Sequence, residues 1–212
     1  MSSNAYPLQF AVEYPDRPLD RLSTGLRFLF IIPIAIVLSS VNAETIYTYT
    51  RDGEISYAVA GAGGLMTFGP LLMILFRQKY PRWWFDWNLE LLRFIQRVSV
   101  YGALMDDRYP STDEQQSVHL DIRYPDVPRD LNRWMPLVKW FLAIPHYVIL
   151  FFLGIGAIIA VIVAWFAILF TGRYPRGLFD YVEGVMRWGN RVTAYAVLLV
   201  TDQYPPFTLG PA

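Results

Sequence analysis

Apolar positions along the chain gather in three long runs. Residues 26–41, with Arg27 at their edge, and residues 58–76 read as single membrane-crossing helices. About 20 residues at 1.5 Å each traverse a hydrocarbon core of about 30 Å. Residues 140–171 hold no Asp, Glu, Lys or Arg, and one untilted span does not need that length. Gly154 and Gly156 lie near the middle. The run therefore predicts two short antiparallel helices, 137–153 and 156–171, which either cross fully or form a re-entrant wedge.

Polar positions recur with two other periods. Residues 8–14 and 117–124 alternate, with Gln9 and Glu13, or His119, Asp121 and Arg123, on one face. That is the pattern of half-buried strands, which need each other because a lone strand is unstable. Residues 83–105 and 177–200 carry charge every three or four positions. The stripes are Asp86, Glu90, Arg93 and Arg97, and Asp180, Glu183, Arg187 and Arg191. Acids precede arginines, the order favoured by the helix dipole. A charge within lipid costs at least about 2.5–3.5 kcal/mol, so these helices are expected in the interface, with Trp83, Trp84, Trp87 and Trp188 at headgroup level. In the loop 42–57, the runs 45–50 and 54–59 flank Arg51-Asp52-Gly53 and read as a hairpin.

Basic residues orient the spans. With four crossings, residues 1–25, 77–139 and 172–212 share a side that, with Arg27 at its edge, holds seventeen of the eighteen Lys and Arg, Arg51 being the exception. Positive charge marks the cytoplasmic side. Both termini are then cytoplasmic in a multi-pass protein of the cell inner membrane. Residues 1–20 lack the early apolar core of a cleaved signal peptide.

The order of elements occurs twice. Tyr14-Pro15-Asp16 aligns with Tyr124-Pro125-Asp126, Tyr80-Pro81-Arg82 with Tyr174-Pro175-Arg176, and Asp107 with Asp202. The fold class expected is all-α transmembrane, with four short spans in two tandem parallel repeats, 1–112 and 113–212. Two interfacial amphipathic helices and a small β element lie on the cytoplasmic side.

Composition narrows the chemistry. The chain is 54% hydrophobic and 17% charged, its eighteen basic and eighteen acidic residues cancel, and it has no cysteine. That excludes disulfides, thiol nucleophiles and Cys-ligated metals, and gives no electrostatic reason to bind nucleic acid. No G-x-S-x-G, H-E-x-x-H or P-loop motif occurs. The expectation is no enzyme, with no catalytic residue, metal or cofactor. Seven of the fourteen tyrosines precede a proline, which marks element ends. His146 is either a ligand contact or a polar packing group. The stripes are a scaffold face, a sealed polar core, or a lipid or partner anion-binding set at Arg93, Arg97, Arg187 and Arg191, with Asp86, Glu90, Asp180 and Glu183 pairing along each helix.

Several motifs together resemble a known family. Tyr14-Pro15 and Tyr124-Pro125, Leu142-Ala143-Ile144-Pro145-His146, Tyr174-Pro175-Arg176 and Tyr204-Pro205-Pro206-Phe207 are similar to domain of unknown function 4389, found in bacterial membrane proteins and often duplicated. The second half is the closer match, since the first lacks a histidine after Pro33 and carries the extra loop. The resemblance implies class and topology, and no activity. On this reading the chain is a non-catalytic integral membrane accessory or scaffold subunit of a larger assembly. The alternative is a small transporter or lipid-handling protein with its site between the repeats. Its partners are membrane lipids and a protein partner or self-association within the membrane.

Overall fold

The structure is a computed structural model that describes residues 6–42, 45–51, 54–60, 62–112 and 114–212. In chain order it has β1 (Leu8–Val12), α1 (Arg21–Gly25), α2 (Arg27–Asn42), β2 (Thr45–Arg51) and β3 (Glu54–Ala60). Next come α3 (Ala62–Leu72), a π-helical turn (Met73–Arg77), α4 (Arg82–Gly102) and β4 (Val118–Ile122). The chain continues with α5 (Val127–Asp130), α6 (Met135–Leu142), α7 (Ile144–Thr171) and α8 (Arg176–Ala196).

The two alternating segments pair antiparallel, Leu8 opposite Ile122, Phe10 opposite Leu120 and Val12 opposite Val118. Period two puts all six side chains on one face, and all six are buried. That face packs on α8 through β1 and on α4 through β4. β2 and β3 pair separately, Arg51 opposite Glu54; Asp52 and Gly53, the expected turn, lie outside the described residues.

Both long amphipathic helices begin after a Tyr-Pro. Each proline fixes an extended entry and lacks the N–H that a helix start leaves unbonded. Their apolar faces supply Phe85, Leu92 and Val100, and Phe179, Val182 and Ala194, to a core that also takes Phe10, Ile74, Leu120, Ala164 and Ile168. α7 lies along α8, and α2 along α4.

This core corrects the expected architecture. Residues from both halves enter one hydrophobic cluster, so the chain is not two tandem membrane-spanning repeats. The strand pair belongs to that cluster and is no separate cytoplasmic element. Helices 83–105 and 177–200 are core elements rather than interfacial ones. Among the described residues one helix, Ile144–Thr171, is long and apolar enough to cross a membrane, not four. Of residues 58–76, 58–60 end β3 and 62–76 form α3 and the π-helical turn, and the run 26–41 is met by the sixteen-residue helix Arg27–Asn42. The multi-pass inner-membrane location with two cytoplasmic termini loses its basis. So do the integral accessory or scaffold role, the transporter or lipid-handling alternative, and the lipids and in-membrane self-association assigned as partners.

The turn expected near Gly154 is absent, because α7 runs unbroken through it. A helical glycine costs about 1 kcal/mol relative to alanine, less than breaking a run of backbone hydrogen bonds. Gly156 serves close approach instead. A Cβ there would stand 2.5 Å from the Tyr181 hydroxyl, which donates to the Leu153 carbonyl at 3.0 Å.

Candidate functional site

The charged stripes of α4 and α8 face the strands and the segments that follow each helix. Arg93 Nε donates to the Leu120 carbonyl at 2.9 Å, and Arg187 Nε to that of Phe10 at 2.9 Å. Each arginine thus grips the middle of a strand. Arg93 also pairs with Glu90 at 2.6 Å and Asp121 at 2.8 Å. Arg187 pairs with Glu183, which accepts the Val12 N–H at 3.1 Å. One turn on, Arg97 donates to the carbonyls of Ser111 and Thr112. Arg191, 1% exposed, donates to those of Thr208 and Gly210. Asp86 and Asp180 sit outside these sets, in exposed pairs with Arg82 at 3.1 Å and Arg176 at 3.2 Å. All four stripe arginines therefore act as backbone clamps here. Among the described residues no group of His, Asp and Glu forms a metal cluster.

The Tyr-Pro rings close these junctions. Tyr14 donates to the Tyr174 carbonyl at 2.6 Å and Tyr124 to the Tyr80 carbonyl. Arg176 and Arg82 lie over the same two rings, 4.4 and 4.7 Å from the centroids.

His146 is buried at the start of α7. The Trp188 indole N–H donates to its Nδ1 at 3.0 Å, Phe207 stacks on the ring at 4.1 Å, and Tyr204 stands at 4.7 Å. An indole only donates, so Nδ1 carries a lone pair and the proton resides on Nε2. Burial holds the imidazole pKa below its ordinary value.

Lys139 and Arg27 are two further buried cations. Lys139 of α6 donates to the Thr201 carbonyl at 2.7 Å and ion-pairs with Asp202 Oδ1 at 2.7 Å. The Tyr195 ring lies 5.2 Å away. Burial lowers its pKa, opposed by Asp202. Arg27 of α2 stands over the Tyr101 ring at 3.9 Å and donates through Nη1 to the carbonyl of Asp106 at 2.9 Å. Its Nε and Nη2, and the hydroxyl of Thr24, are buried with no partner among the described residues. Asp107 is turned away, paired with Arg17 and accepting the Asp20 N–H at 3.2 Å.

Arg27 and Thr24 line a cavity of about 370 Å³. Phe28, Ile31, Val161, Ile162 and Trp165 form its apolar walls, and Gly102 and Leu104 an edge. Trp165 Nε1 is fixed on the Thr24 carbonyl at 3.1 Å. Its accessible lining is almost wholly apolar, and the unbonded atoms of Arg27 and Thr24 are closed to solvent. Sequence reasoning placed Arg27 at the end of a span, where its charge reached water. Its burial under Tyr101 comes from the packing of α2 on α4, and the one available signal was an arginine inside an apolar run.

Residues 133–208 match the family model described as Domain of unknown function (DUF4389). The match takes in α6, α7, α8 and the Tyr204–Phe207 segment around His146, and covers less than half of the chain. No curated protein matches the chain, and no solved structure does.

Proposed function

We propose that this chain is a non-catalytic binding protein for a small organic anion, a carboxylate with an apolar body, held in the cavity at Arg27. One observation carries the reading. A guanidinium 4% exposed retains two unbonded nitrogens beside an apolar cavity and the unbonded Thr24 hydroxyl. An unsatisfied buried polar group costs about 1–3 kcal/mol, more when charged, and a guanidinium cannot shed its proton to escape that cost. A carboxylate accepts from both nitrogens in one plane, and an apolar body of about ten to twenty non-hydrogen atoms suits the volume. The orphan atoms are closed to solvent, so the head group must displace side chains that cover them; Phe28, which lines the cavity, is 65% exposed.

The test is calorimetric titration of the full chain with benzoate, phenylacetate and isovalerate. Binding of at least one is expected, with affinity falling tenfold or more in Arg27→Met and partly restored in Arg27→Lys. Equal binding by Arg27→Met, or no binding of any acid, rejects the site.

We also read residues 1–112 and 113–212 as two copies of one unit. Supporting this are the matched roles of Tyr14 and Tyr124, Arg93 and Arg187, and Arg97 and Arg191. Leu104 and Leu199, equivalent by position, both adopt left-handed backbone, φ 64° and 58°. Anion binding at Arg93, Arg97, Arg187 or Arg191 requires that the bonded carbonyls be released first.

A further inference from the structure

We propose that the contact between His146 and Trp188 is a proton-operated latch, which holds the strap 203–212 against α8 near neutrality and releases it on acidification. The strap meets the rest of the fold at a few points. Tyr204 donates to the Leu142 carbonyl at 3.0 Å, Phe207 stacks on His146 and meets Trp188 edge-on at 5.6 Å. Arg187 and Arg191 hold the carbonyls of Leu209, Thr208 and Gly210, and Tyr6 N–H donates to the Ala212 carbonyl at 3.3 Å. Tyr6 Oη also donates to the Gln203 carbonyl at 3.3 Å and Gln9 Nε2 to that of Ala212 at 3.5 Å; the remaining hydrogen bonds of the strap are local, such as Gly210 N–H to Thr208 Oγ1. A segment held at few points opens more readily than the core beneath it.

His146 touches the strap at Tyr204 and Phe207, and its protonation state is set by a neighbour that only donates. Trp188 donates and never accepts. Once Nδ1 takes a proton, two donors face each other and a charge is created in a buried site. The titratable and charged groups on the surrounding elements offer no compensation. On α6 stands Lys139, itself paired with Asp202. On α8 stand Arg187 and Arg191, bonded to the strap, and Tyr195. On α7 stands Tyr147, and on the strap Tyr204. Among the described residues no carboxylate touches the ring, and Nε2 is buried without a partner. Burial already favours the neutral imidazole, so the strap is closed at neutral pH and opens below the ordinary histidine range. Opening frees the Arg187 and Arg191 donors, turning the underlying face of α8 into a basic groove.

This latch is independent of the Arg27 cavity. The test is hydrogen exchange of the full chain at about pH 7.5 and about pH 5, corrected for intrinsic exchange rates, with imidazole nitrogen shifts of His146 followed by NMR. Wild type is expected to lose protection at residues 203–212 by about tenfold or more at the lower pH, in step with the His146 shift, while α4 and β4 stay protected. His146→Phe, which keeps an aromatic ring and cannot titrate, is expected to hold equal protection at both values. Unchanged strap protection in wild type overturns the latch, as does loss that precedes protonation of His146. If His146→Phe does not fold, the wild-type titration alone decides.

Discussion

Lys139 and Arg27 are both buried, each beside the end of a long helix, yet their surroundings resolve their charge in opposite ways. Lys139 donates a hydrogen bond to the Thr201 carbonyl and has Asp202 beside it. Arg27 has Asp107 close by in the segment after α4, but Arg17 pairs with that carboxylate. Asp202 instead accepts from the Asn132 N–H at 2.6 Å and keeps its other oxygen for the lysine. A buried cation whose counter-ion is in place is part of the scaffold. One whose counter-ion is diverted keeps donors in reserve, and those donors are what a ligand can use. The same asymmetry occurs at the tyrosines that open α4 and α8. Tyr80 donates to the Leu198 carbonyl at 3.0 Å, whereas the Tyr174 hydroxyl is buried with no partner among the described residues.

The broadest way to break the comparison is alkali. Burial raises the phenol pKa of Tyr6, Tyr80 and Tyr174 well above the ordinary value of 10.0. The unfolded chain therefore loses these protons first. Their stabilisation is complete below about pH 10 and is lost as pH rises toward the folded values. Lys139 works in the opposite direction, because its lowered pKa makes its contribution grow with pH up to about 10.5. Three tyrosines outweigh one lysine, so urea midpoints are expected to fall between about pH 9.5 and pH 11. A flat or rising profile would contradict this.

Next in size is Lys139→Met, which strands Asp202 and the Thr201 carbonyl. We expect a loss of about 3 kcal/mol, seen as a melting temperature lower by roughly 6–12 °C. Arg27→Met removes a charge with no carboxylate of its own and is expected to stay within about 1 kcal/mol of wild type. Equal damage from the two variants, by thermal melting, would erase the distinction between scaffold cation and site cation. The smallest effect separates the tyrosines. Tyr80→Phe loses a buried hydrogen bond to Leu198 and the contact with Asn88, at a cost of about 1 kcal/mol. Tyr174→Phe removes an unsatisfied hydroxyl and is expected to be neutral or slightly stabilising, which chemical denaturation of both variants resolves.

Much of the local structure was legible because it depends on short-range pattern. Alternation at 8–14 and 117–124 marked the strands, which form over Leu8–Val12 and Val118–Ile122, and even their pairing. The spacing of Asp86, Glu90, Arg93 and Arg97 marked one face of a helix, and the prolines after Tyr80 and Tyr174 marked its start. The longer apolar runs misled because hydropathy does not record what an apolar surface packs against. Part of 58–76 joins a strand, and part packs Ile74 into the common core. Gly154 and Gly156 read as a turn because glycine permits one, while Gly156 is small so that Tyr181 can reach the α7 backbone.

Residue order alone determined the strands, the amphipathic faces, the junctions at each Tyr-Pro and the absence of thiol chemistry. These follow from backbone sterics and side-chain type within a few positions. Only the folded arrangement decided which buried cation is satisfied and which keeps open donors, and which nitrogen of His146 carries its proton. Those outcomes depend on partners more than forty residues away, Trp188 for His146 and Asp107 for Arg17. Hydrogen-bond satisfaction is a property of positions in space, which spacing along the chain does not encode.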